Sequence, residues 1–135
     1  MTLSTGILVI YADEESFTFV TPEGHMLSAW ITFSAYHEDG ITVAQAQALL
    51  RAADPVIEMG LRMGGHKQED MFWILTLQSL AKHFNVDAQA EARSVCVDPK
   101  IQWSQARNIK HNPIMRSMIY TAGTPMGLLR RRSGR

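Results

Sequence analysis

Between Leu27 and Tyr36 hydrophobic and polar positions alternate with period two. Leu27, Ala29, Ile31, Phe33 and Ala35 fall on one side, and Ser28, Trp30, Thr32, Ser34 and Tyr36 on the other. Successive strand side chains point to opposite faces, so this is a strand whose wholly apolar face is expected to meet a core. Two shorter β-branched and aromatic runs precede it, Ile7–Tyr11 and Ser16–Thr21, separated by Ala12-Asp13-Glu14-Glu15. They predict a hairpin with Phe17 and Phe19 on one face and Thr18 and Val20 on the other. Pro22-Glu23-Gly24 ends the second run. His37-Glu38-Asp39-Gly40 is a turn with glycine where positive φ is expected.

The stretch Ile41–Ala52 carries two patterns at once. Its alanines, glutamines and leucines favour helix by propensity. Yet Thr42, Ala44, Ala46, Ala48 and Leu50 alternate with Val43, Gln45, Gln47, Leu49 and Arg51, as a strand returning from the turn would. On residue pattern alone the two readings stand level.

Asp54-Pro55 is a helix start, a capping carboxylate followed by proline at the first helical position. The helix is expected to kink or break at Gly64-Gly65 and to resume through Phe84. Trp73, Leu77, Leu80 and Phe84 then form one stripe, suited to lie on the apolar sheet face. Further on, Glu91–Val97 alternates like another strand, with Cys96 expected to be buried in it. Asp98-Pro99 is placed to cap a helix over Lys100–Lys110, and His111-Asn112-Pro113 to break it before a turn or two at Ile114–Tyr120. Pro125–Arg135 reads as a frayed end. Strands followed by one long helix predict an α+β fold, an antiparallel sheet packed by that helix, with a basic helical tail.

Charge adds a division that the pattern does not show. All 13 acidic residues lie within residues 1–98, against 5 basic ones, whereas residues 99–135 hold 8 basic residues and no acid. An acidic body over 1–98 with a basic helical extension over 99–135 is expected. The extension includes the run Arg130, Arg131 and Arg132, able to meet an anionic surface through charge density. At 135 residues with 46% hydrophobic content the chain suits a single globular domain. A single cysteine excludes an internal disulfide and fits a reducing, cytoplasmic setting. No apolar run reaches the ~18–20 residues of a membrane helix, and Ile7–Tyr11 is too short for a signal-peptide core.

Phe17-Thr18-Phe19-Val20-Thr21-Pro22-Glu23-Gly24-His25, the Trp30–Tyr36 strand, the Thr42–Arg51 run and the helix from Pro55 together resemble the C-terminal half of START-like (SRPBCC, helix-grip) proteins. The likeness is to polyketide cyclase-like bacterial members and covers about half the chain. It implies that Thr42–Leu50 is a strand. It also implies a cavity between sheet and helix for a hydrophobic small molecule, lined by Phe17, Phe19, Ile31, Phe33, Trp73 and Leu77, with His25 near the rim. A complete domain of this kind opens with another strand and two short helices, which are not seen here. The chain is then a fragment, a shortened variant, or a protomer whose open sheet edge pairs with a second copy as a homodimer or higher assembly.

The chemistry-bearing residues are sparse. His25 is the one acid/base candidate, against the plainer reading of a turn histidine bonded to backbone. An enzyme of polyketide-cyclase kind would use it, with His66 as a weaker candidate. His66, Glu69 and Asp70 share a helix face, but no second histidine stands at metal spacing, so a solvated surface is expected and no metal. Neither a phosphate-binding glycine loop nor a Gly-x-Ser-x-Gly elbow occurs, and no cofactor is expected. Three function classes follow: a binder of a hydrophobic small molecule, a cyclase-like enzyme, and an interaction protein working through residues 100–135.

Overall fold

The computed structural model describes residues 5–120. Four strands form one antiparallel meander in the order β1-β2-β3-β4: β1 Leu8–Ala12, β2 Ser16–Val20, β3 Leu27–Glu38 and β4 Ile41–Ala52. Each connection has a local cause. The Asp13 carboxylate closes the first turn by accepting from the Glu15 and Ser16 amides at 2.9 and 2.7 Å. The second turn is stitched by Thr21, whose hydroxyl donates to the Leu27 carbonyl at 2.7 Å and accepts from the Ala29 amide at 2.9 Å. The third is a two-residue hairpin loop in which Asp39 and Gly40 both have positive φ, 49° and 80°. That backbone matches the right-handed twist of the flanking strands. It sets a twelve-pair register from Leu27↔Ala52 to Glu38↔Ile41, so the helical composition of β4 is overridden by its partner.

The register collects the apolar residues. Phe17 pairs Phe33, Phe19 pairs Ile31, and Ala46, Ala48 and Leu50 lie opposite Phe33, Ile31 and Ala29, all on one face. Ala29, Ile31 and Ala52 are the buried hydrophobic residues of the described chain. The other face is mixed. Thr18 and Thr32 share a hydrogen bond of 2.8 Å there, beside a row in which Leu8, Val20, Trp30 and Leu49 are successive partners across all four strands.

After β4 the chain turns into α1 Pro55–Gly60, passes through a wider helical turn at Leu61–Gly65, and continues as α2 His66–His83. The expected kink sits at Met63 and Gly64, where the angles leave the helical region and Gly64 takes φ 122°. Both helices pack against β4. Trp73 and Leu77 are half-buried, but Leu80 and Phe84 remain exposed. The stripe thus acts as a lid only as far as Leu77.

Two expectations are corrected beyond α2. Residues 91–97 form no strand, and Cys96 is exposed. The segment lies along the helices, Ser94 donating to Asp70 at 2.7 Å and Arg62 to the Pro99 carbonyl, and these contacts hold it away from the sheet. Asp98 does not cap a helix directly. Its carboxylate accepts from the Lys100 amide at 3.0 Å and the Gln102 side chain at 2.9 Å. The helix that follows is a 3₁₀ helix over Trp103–His111. Asn112 interrupts it, and residues 113–120 are helical.

Candidate functional site

The sheet register and α2 bring together most of the residues predicted to line a cavity. Phe17 and Phe33 stack with centroids 4.9 Å apart at 15°. Phe19 lies 6.0 Å from Phe33, and Trp73 reaches down from α2 to 5.9 Å. Ile31 lies buried beneath them. Stacked and tilted pairs at these separations are favourable beyond their burial. The cluster is closed on the helix side and open on the other: Phe17 is 43% exposed although stacked on Phe33.

The polar groups beside the rings are few. Trp73 Nε1 is enclosed and makes no hydrogen bond of normal geometry. Next to it, burial pushes the Glu69 carboxyl above its ordinary value, opposed by its approach to Trp73 and by His66. His66 Nδ1 lies 3.8 Å from Glu69, while Asp70 is engaged with Ser94. Among the described residues no group of three His, Cys, Asp or Glu side chains converges to hold a metal.

His25 stands elsewhere. It belongs to the corner between β2 and β3, and its Nδ1 lies 3.0 Å from both the amide nitrogen and the carbonyl oxygen of Leu27. When Nδ1 accepts from the Leu27 amide, the proton resides on Nε2; a protonated Nδ1 donates to the carbonyl instead. From Leu27 to Phe33 is six residues of strand, roughly 20 Å at the usual rise. His25 thus stands apart from the Phe17–Phe33 stack.

The surroundings of His25 are polar. An open cleft of about 330 Å³ is lined by His25, Arg51, Asp54, Asn108 and His111 among others. Its inner wall was not foreseen from the sequence. Asp54 accepts from the Val56 and Ile57 amides at 2.8 and 3.1 Å, capping α1, and also from Asn112 Nδ2 at 2.9 Å. Asn112 Oδ1 in turn accepts from the Ile114 amide at 2.9 Å, capping the helix over 113–120. Two helix N-termini are therefore joined cap to cap, with Asp54 and Asn112 each only 3% exposed. Asn108 adds a bond to the Ala53 carbonyl at 2.9 Å. The signal available was the repeated dipeptide, Asp54-Pro55 and Asn112-Pro113, an Asx cap before proline in both; the contact between them is tertiary.

Arg130, Arg131 and Arg132 lie outside the described residues. Among the described residues no helix is long and apolar enough to cross a membrane. No protein family, curated protein or solved structure matches the chain. The fold itself is α+β, a four-stranded antiparallel sheet followed by helices.

Proposed function

We propose that the chain binds a hydrophobic small molecule on the aromatic face between sheet and α2, in the manner of helix-grip proteins. Phe17, Phe19, Phe33, Trp73 and Leu77 form the contact surface. The observation that carries this reading is the half-open aromatic cluster. Phe17 is stacked on Phe33 and yet 43% exposed, so a flat or chain-like apolar ligand covers it without displacing the core. Ligand sites of this type are mostly apolar with few polar groups, and Trp73 Nε1 and Glu69 are polar groups of this kind beside the rings.

Titration with an environment-sensitive apolar fluorophore tests it. Saturable binding is expected, and Phe17→Ser, at a partly exposed position, weakens it roughly tenfold, about 1.4 kcal/mol of lost contact. His25→Ala, at the far end of β3, leaves affinity unchanged. Equal affinity in Phe17→Ser and wild type, or no saturable binding at all, ends the proposal.

A further inference from the structure

The sheet has two edges, and they differ in kind. β4 is contacted by α1 and α2, carries Gln45, Gln47 and Arg51 on its other face, and is bridged through Arg51 to Asp98 at 3.6 Å. β1 has none of this. Ile7, Leu8, Val9, Ile10 and Tyr11 are between 44% and 60% exposed, and the run through Ala12 has neither charge nor proline. A strand edge offers unpaired amide and carbonyl groups, and proteins blunt such edges with lysine, proline, bulges or cover. β1 has a single irregularity of that sort, where the register shifts between Val9 and Tyr11.

We propose that two copies of this chain associate through β1, antiparallel about a two-fold axis, to make one continuous eight-stranded sheet. The geometry suits a second copy. An antiparallel pairing of a strand with itself is self-complementary, as an isologous contact requires, and the uncharged run brings no like charges face to face. Each β1 then satisfies its outer backbone groups. The exposed apolar side chains on β1, above and below the sheet, become neighbours across the axis, and the open sides of the two aromatic clusters face a common centre. The proposal stands whether or not the aromatic face binds a ligand, because mass and cross-linking report it.

Sedimentation equilibrium at micromolar concentration is expected to give twice 15.2 kDa. Ile10→Lys sets two ammonium groups near the axis and raises the dissociation constant on the order of 100-fold or more, with the circular dichroism of the folded chain retained. Independently, single cysteines at Leu8, Val9, Ile10 and Tyr11, each with Cys96→Ser, are expected to form a disulfide-linked dimer at one position or two adjacent ones. A folded 15.2 kDa monomer overturns the proposal. So does a dimer that survives Ile10→Lys without cross-linking at any β1 cysteine, since association then runs through another surface. Should Ile10→Lys fail to fold, the cysteine series decides alone.

Discussion

Asp54 and Asn112 each do two jobs with one side chain, and the jobs are coupled. The carboxylate of Asp54 accepts three hydrogen bonds, two from the first turn of α1 and one from Asn112. Its charge lies at the N-terminal ends of two helices, where backbone dipoles favour a negative group. Asn112→Ala removes a cap worth about 1 kcal/mol and leaves a buried carboxylate oxygen unpaired, a further 1–3 kcal/mol or so. A loss of about 2–4 kcal/mol in urea unfolding is expected. Asp54→Ala is expected to cost as much, and the double variant less than the sum, because the two side chains share one contact. Additive losses would show that the caps work separately. Glu69 gives the pH-dependent counterpart. Its folded pKa is raised above 4.5 by burial, so the native state holds the proton more tightly than the unfolded chain. Stability therefore falls as pH rises through the interval between the two values. Glu69→Gln is expected to melt at a higher temperature than wild type at pH 7, the gap closing below pH 4.5. An equal gap at both pH values would mean that the charge is not the cause.

At the scale of elements, what the sequence made legible is what depends on neighbours in the chain. The strands followed from period two, the α1 start from Asp54-Pro55, and the kink from Gly64-Gly65. Ile41–Ala52 was level on residue pattern, and a two-residue turn with Asp39 and Gly40 at positive φ resolves it, a local geometry that commits the following residues to β3. Glu91–Val97 shows the opposite. Its alternation was as good as that of a strand, yet strand formation needs a free edge, and this segment is tied to α2 and Arg62 instead. The aromatic cluster was readable because the face of a strand is fixed by counting. The place of His25 was not, since its distance from the rings depends on how far along β3 the helix crosses. The kink allows a paired test. Gly64 has φ 122° with open space where a Cβ would go, so Gly64→Ala costs backbone strain alone, about 1–2 kcal/mol. Gly60 has helical angles, φ −61° and ψ −41°, and equal space. Gly60→Ala is expected to stabilise by roughly 0.5–1 kcal/mol. Chemical denaturation of both variants checks the opposite signs.

Across the whole molecule, order is concentrated at one side of the sheet. The β3–β4 hairpin has twelve paired positions and the helices packed on it, and it holds the buried Ala29, Ile31 and Ala52. The β1–β2 hairpin has five-residue strands, a register shift and a β1 that is exposed throughout. Local opening free energy follows buried apolar contact and protection of backbone hydrogen bonds. In dilute solution, amide hydrogen exchange is therefore expected to be slowest in Ala29–Ile31 and their β4 partners Ala48–Leu50. The amides of Leu8–Ala12 are expected to exchange orders of magnitude faster, near the limit of a fraying edge. Concentration separates this gradient from the self-association of β1. Exchange in β3 and β4 is set within one copy and does not change with dilution. Exchange in β1 slows as concentration rises, in step with the fraction of paired copies, because binding to the native state adds protection by mass action. The measurement is exchange read by mass spectrometry at two concentrations a hundredfold apart. Uniform protection over all four strands at the lower concentration would contradict the gradient, and would mean that the first hairpin draws its stability from contacts within one copy.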